Sequence, residues 1–266
     1  RELLLQTIQH AQERGWEVLH AIVDSIWIRD AEGRSLEEQH KSAMELAQHV
    51  HDATGIPLEY EATYRCIAFL PSRMHTGGSL TKYWAYNDKE LKVRGLELRQ
   101  HSTCPWIVQL QKRALEVLVQ SDDLVDGIPS PRVQSRVQRL LIEEVHRLEQ
   151  HRVLPRELLI TQRLSRKPTP NSSRTVAMLA YQRSEALGYP LELASKVRFI
   201  ICSNHWSNPL ERVILAQECE HEQRPIRRID IDHYRRLAIR AIWAVLGPFG
   251  WLEEDLLQKN VTRLDQ

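Results

Sequence analysis

Apolar positions near the start of the chain, Leu4, Ile8 and Ala11, recur at helical spacing up to Gly15, and this predicts a helix already under way at the first residues. The next stretch, WEVLHAIVDSIWI, is rich in β-branched and aromatic residues on both sides of Asp24. It reads as two strands meeting at a tight turn with Asp24-Ser25 at or near the tip. Ser35 followed by Glu38 forms a capping box, and Ala43, Leu46, Ala47 and Val50 then make one apolar helix face until Thr54-Gly55 ends it. After Pro57, LEYEATYRCIAFL alternates as a strand does, and LTKYWAYNDKELKVRGLEL predicts a hairpin turning at Asn87-Asp88. Thr103 and Pro105 open a helix through about Val119, with Ile107, Leu110, Ala114, Leu115 and Leu118 inward.

The segment SDDLVDGIPSP has acidic, Gly and Pro residues without periodicity, so a lobe boundary is expected near 121–131. Beyond it the pattern predicts a helix with Val133, Val137, Leu140, Leu141 and Leu148 buried, then a short strand at Leu158–Thr161. A Pro/Ser-rich loop at 165–173, a helix ending at Gly188, a strand at Lys196–Ile201 and a helix at Ile231–Leu246 complete the reading. The expected fold class is α+β: an antiparallel sheet with packed helices over residues 1–120, followed by a mostly helical lobe over 121–266.

Composition narrows the class. The 266 residues are 42% hydrophobic and 27% charged, as in ordinary globular proteins, and no apolar run approaches the ~20 residues of a membrane span. The first residues lack the basic, apolar and small-residue order of a signal peptide, so an intracellular protein is expected. Four dispersed cysteines make no disulfide framework. The formal net charge is only +1, yet Arg152, Arg156, Arg163, Arg166, Lys167, Arg174 and Arg183 face Glu157 alone over 152–183. That local excess suits a polyanion partner, and it equally suits a solvated basic face.

Several segments, in order and with suitable spacing, resemble the C-terminal half of family B DNA polymerases. VLHAIVDSIWI is similar to the family's motif C hairpin, which usually reads Tyr-Gly-Asp-Thr-Asp-Ser. LEYE at 58–61 looks like the acidic palm strand, TKYWAY like the lysine-and-tyrosine motif beside the primer, and VRGLELRQHSTCPWI like the palm segment running towards the thumb. LLITQRLSRKP and IDIDHYRRLAIRAIWAVLGPFGW resemble a thumb strand and a terminal thumb helix. The resemblance covers essentially the whole chain and implies the rear of the palm over 1–120 and the thumb over 121–266. Motif A, the fingers and any exonuclease are expected before residue 1, on an N-terminal polymerase segment or subunit.

Nucleotidyl transfer needs carboxylates that hold two divalent ions, one activating the primer hydroxyl and one stabilising the leaving pyrophosphate. The resemblance carries the second aspartate of motif C onto Asp24, which becomes the candidate catalytic and magnesium-binding residue, with Glu61 as an accessory acidic group. The first aspartate maps to Ile22, which cannot ligate a hard cation. Magnesium is therefore expected only in combination with the missing motif A carboxylate. Asp24 by itself also suits a plain hairpin turn. Tyr83 and Lys82 map beside the primer strand, although the family's lysine usually lies two positions before the tyrosine, where Thr81 stands. Arg94 and Arg99 on the palm, and Arg163, Ser165, Arg166, Lys167 and Arg174 on the thumb, are candidate contacts to the phosphates of primer-template DNA.

One constellation lies outside the family pattern. Cys202, His205, Cys219 and His221 have a Cys-x2-His then Cys-x-His order, but the second spacing is shorter than usual structural zinc spacings, and zinc is not expected. Two functional readings stay open: part of a working DNA-directed DNA polymerase, or an inactivated descendant that binds DNA or acts as a scaffold, which Ile22 favours.

Overall fold

The N-terminal helix α1 (Glu2–Glu13) leads through Gly15, at φ 74°, into the hairpin β1 (Trp16–Ile22) and β2 (Ser25–Asp30). The computed structural model describes residues 2–72, 77–125, 128–164, 175–192, 194–203, 205 and 207–258. Next comes α2 (Leu36–Thr54), whose ends are set by local chemistry. Ser35 accepts a hydrogen bond from the Glu38 backbone, the Glu38 carboxylate accepts one from the Ser35 N–H, and Gly55 closes the helix at φ 71°. Ala43, Leu46 and Val50 of α2 pack with Ala11 and Trp16, and Val18, Ile26 and Ile28 of the hairpin join the same core.

A three-stranded antiparallel sheet follows: β3 (Cys66–Pro71), β4 (Gly78–Tyr86) and β5 (Leu91–Arg94), with β4 central. Its second turn is organised by Asn87, whose side-chain oxygen accepts from the Lys89 and Glu90 N–H groups. The strand expected from residue 58 starts only at Cys66. Leu58 and Tyr60 instead lay their side chains on the α2 core, and Tyr60 meets the His40 ring edge-on at 4.7 Å, so the alternation reflects packing rather than strand pairing.

Contacts divide the chain into two units, Arg1–Lys92 and Val93–Gln266. The second unit begins with α3 (Pro105–Val119), a short ribbon of β6 (Leu124–Val125) and β7 (Ile128–Pro129), and α4 (Pro131–Glu149). It continues through α5 (Pro155–Leu158), β8 (Ile160–Arg163), α6 (Val176–Ala186), β9 (Lys196–Ile201), β10 (Val213–Leu215), α7 (Ala216–Cys219) and α8 (Ile231–Leu246). Helices α3, α4 and α8 pack on one another, so the residues on both sides of 121–131 share one core. Strands β8, β9 and β10 form an antiparallel sheet with β9 central.

The expected strand at Leu158–Thr161 sits two residues later, because Pro155 opens a single helical turn whose Glu157 carboxylate takes the Leu154 N–H. Tyr234 joins α8 to both neighbours: its wholly buried hydroxyl donates to the Leu158 carbonyl at 2.8 Å and accepts from the Ile201 N–H at 3.1 Å. The architecture is thus mixed α and β with small antiparallel sheets. No helix among the described residues is long and apolar enough to cross a membrane.

Candidate functional site

The β1–β2 hairpin is paired from Trp16↔Asp30 to Ile22↔Ser25, which leaves Val23 and Asp24 as a two-residue turn. The register shifts between Val18 and His20, and this bulge decides what the tip carries. Before the shift, the Val18↔Ile28 pair faces the α2 core. After it, His20 pairs with Trp27, and both turn to the opposite face, where they meet Tyr83; His20 also lies 5.1 Å from the Phe69 ring and Trp27 5.0 Å from that of Tyr64. Strand alternation places Ile22 on that aromatic face too. Without the inserted residue, His20 and Ile22 would point into the α2 core.

Asp24 is exposed at the tip, and its carboxylate makes no hydrogen bond or ion pair among the described residues. Val23 beside it is 85% exposed and holds φ 51°, a conformation that costs a β-branched residue strain. Ile22 is half buried and its carbonyl receives the Ser25 hydroxyl at 3.4 Å. Burial lowers the His20 imidazole below its ordinary value, only partly opposed by a hydrogen bond with the Leu80 backbone.

The other first-unit candidates are placed differently. Tyr83 is only 6% exposed and belongs to the aromatic cluster, whereas Lys82, one residue earlier on β4, is exposed. Glu61 is exposed but already engaged: the Lys92 ammonium bonds both of its carboxylate oxygens. Lys92 also lies 5.4 Å from the Trp27 ring centroid and 5.9 Å from that of Tyr64, a partial cage for its charge. The Tyr64 hydroxyl is pushed well above its ordinary range, mainly by burial and then by its bond to Glu90. Lys92 had no local signal in the sequence, since its partner stands 31 residues away.

Among the described residues no group of three or more His, Cys, Asp or Glu side chains could hold a metal ion. Asp24 offers one free carboxylate and Glu61 one that is already paired, which falls short of a two-metal donor set.

In the second unit, Arg94, Arg99 and Arg163 are exposed; the Arg163 Nε donates to the Ala194 carbonyl at 3.2 Å and its charge stays open to solvent. Ser165, Arg166, Lys167 and Arg174 lie outside the described residues. Arg183, the last cation of the basic segment, is drawn inside, where it meets Glu218 at 2.6 Å and Glu211 at 3.4 Å. It is therefore neutralised. Cys202 and Cys219 are buried thiols, pushed up by burial to about 11 and about 12, while His205 and His221 are exposed.

A family profile described as DNA polymerase family B matches residues 5–248. The chain belongs to DNA polymerase family B. It is 22% identical over 276 aligned residues to a DNA polymerase of Archaeoglobus fulgidus, covering 100% of this chain and 32% of that protein. A DNA polymerase of Desulfurococcus sp. (strain Tok) is also 22% identical, covering 96% of this chain and 31% of its own length. The chain thus spans about a third of the length of the curated relatives it matches. Among solved structures, the family B DNA polymerase from the hyperthermophilic archaeon Pyrobaculum calidifontis superposes with a TM-score of 0.60 at 18% identity, covering 94% of this chain and 29% of that one. The family B fold is therefore present in the part matched, and the exposed carboxylate at the hairpin tip falls within it.

Proposed function

We propose that this chain is the DNA-binding palm and thumb portion of a DNA-directed DNA polymerase, and that it takes part in nucleotidyl transfer only together with family B segments outside these residues. In this reading residues 1–120 are the rear of the palm and 121–266 the thumb. The observation that carries it is Asp24, an unpaired carboxylate at the tip of a paired hairpin, in a chain that matches the family over residues 5–248. Asp24 would be one ligand of magnesium, whose chemistry is to activate the primer hydroxyl and stabilise the leaving pyrophosphate. Glu61 could join only by leaving Lys92. Primer-template DNA is the substrate partner, held through phosphates by exposed cations such as Arg94, Arg99 and Arg163.

A second reading, a descendant that binds DNA without catalysis, is favoured by two observations: Ile22 stands where the family has an aspartate, and Lys92 occupies the Glu61 carboxylate. Primer extension separates the two. The 266 residues alone should not extend a primer with dNTPs and magnesium, because one free carboxylate cannot hold both ions. The protein completed with its remaining polymerase segments should do so. A completed protein that binds primer-template DNA yet extends nothing would establish the second reading.

A further inference from the structure

Arginines of the second unit differ in how far they are neutralised, and several, among them Arg94, Arg99, Arg152, Arg156, Arg236 and Arg240, are exposed without a carboxylate partner among the described residues. Arg113, Arg147, Arg183, Arg198, Arg228 and Arg235, by contrast, each face a carboxylate within 3.4 Å. Arg132, Arg136 and Arg139 of α4 are of the unpaired kind: all three are exposed, and none has a carboxylate partner or a side-chain hydrogen bond among the described residues. Even Glu143, one turn beyond Arg139, makes no ion pair with it.

Spacings of four and three residues place these arginines in a row on one face of α4, about 10 Å long at ~1.5 Å per residue. Residues 131–142 contain no acidic residue, so nothing within that half of the helix offsets the three charges. The placement does nothing for the helix itself, because cations stabilise a last turn rather than a first. A row of like charges that local stability does not favour points to a role outside the fold.

We infer that Arg132, Arg136 and Arg139 form a nucleic-acid contact surface on α4, which rests on the DNA-binding reading above and adds to it a site outside the basic segment at 152–183. A strand of duplex DNA carries one phosphate per ~3.4 Å of axis, so a row of this length meets about three. Charge complementarity selects a polyanion. The composition of the face selects a phosphate backbone over an acidic protein, since no exposed large apolar side chain lies on α4 to anchor a protein interface.

The test compares duplex DNA binding across salt for the parent, for Arg132→Gln/Arg136→Gln/Arg139→Gln, and for a charge-matched control, Lys41→Gln/Lys112→Gln/Arg198→Gln. The control removes cations that already face Glu45, Glu116 and Glu220. The α4 variant should bind at least tenfold more weakly at low salt, and its slope of log affinity against log salt should be shallower by roughly 2 to 3, at ~0.9 per phosphate. The control should keep the parent's slope. An α4 variant with the parent's slope overturns the α4 surface while leaving DNA binding in place, and equal losses in both variants reduce it to diffuse net charge. Poly-glutamate held as tightly as DNA would overturn the assignment to phosphate. A parent that binds no DNA at low salt removes the DNA-binding reading, and the α4 surface with it.

Discussion

The Lys92 ammonium hydrogen-bonds both carboxylate oxygens of Glu61 while lying over the Trp27 and Tyr64 rings. The two partners differ in burial, with the Glu61 side chain 66% exposed and that of Lys92 only 19%. Glu61→Gln should therefore cost at most about 1 kcal/mol, as solvent-exposed ion pairs do. Lys92→Ala should cost more, since it also removes a largely buried side chain and its cation–π contacts with the two rings. Urea denaturation of both variants measures the order, and a larger loss in Glu61→Gln would reverse the assignment.

At the hairpin tip, Val23 carries a left-handed backbone at the first of two turn residues, where glycine is the usual occupant. Its side chain is almost fully solvated, so little packing is lost on removal. Relief of ~1–2 kcal/mol of left-handed strain outweighs the ~0.5–1 kcal/mol entropic cost of glycine. Val23→Gly should raise stability by about 0.5–1 kcal/mol, read as a higher denaturation midpoint. A lower midpoint would contradict strain at this residue.

Tyr234 tests the core of the second unit. Removing its hydroxyl in Tyr234→Phe strands the buried Leu158 carbonyl and Ile201 N–H without a partner. The expected cost is about 1–3 kcal/mol. A loss below 0.5 kcal/mol, on the order of surface substitutions, would mean that the two backbone groups find other partners.

A half-buried histidine and a buried carboxylate should give the protein a two-stage acid response. Burial holds the His233 imidazole below its ordinary value of 6.5, so unfolding takes up a proton and stability begins to fall as pH drops through that value. Burial pushes the Glu144 carboxyl up, but bonds from the Trp106 indole and Arg113, with the Arg147 charge, outweigh it and hold the group below its ordinary 4.5. Its contribution is complete above 4.5 and is lost as pH falls through the lower folded value. His233→Asn should flatten the first stage and Glu144→Gln the second, in denaturation midpoints followed from neutral to acid pH. A Glu144→Gln variant with the parent's slope below 4.5 would show that this carboxylate is not the source.

If the completed protein extends primers as proposed, Asp24→Ala should abolish that extension while leaving DNA affinity nearly intact, because the carboxylate faces solvent and repels rather than holds a phosphate. Ile22→Asp should preserve or raise extension by restoring an acidic pair, at a stability cost, since Ile22 is half buried on the aromatic face. Extension unchanged by Asp24→Ala would refute the metal assignment.

Wherever a feature is governed by neighbours within a turn or two of chain, the sequence alone determined it. The Ser35 and Glu38 capping box, the Gly55 stop, β9 at Lys196–Ile201, α8 at Ile231–Leu246 and the turn that exposes Asp24 were all legible, because caps, periodicity and turn chemistry act locally. The order of motifs likewise pointed to family B, which the match over residues 5–248 bears out. Tertiary structure alone decided the rest. A bulge at Leu19 turned His20 and Ile22 away from the α2 core, packing on α2 kept residues 58–64 out of a strand, and Lys92 claimed Glu61 from 31 residues away. Such outcomes depend on which distant side chains meet, and a one-residue shift of register reverses every face of a strand without altering its pattern.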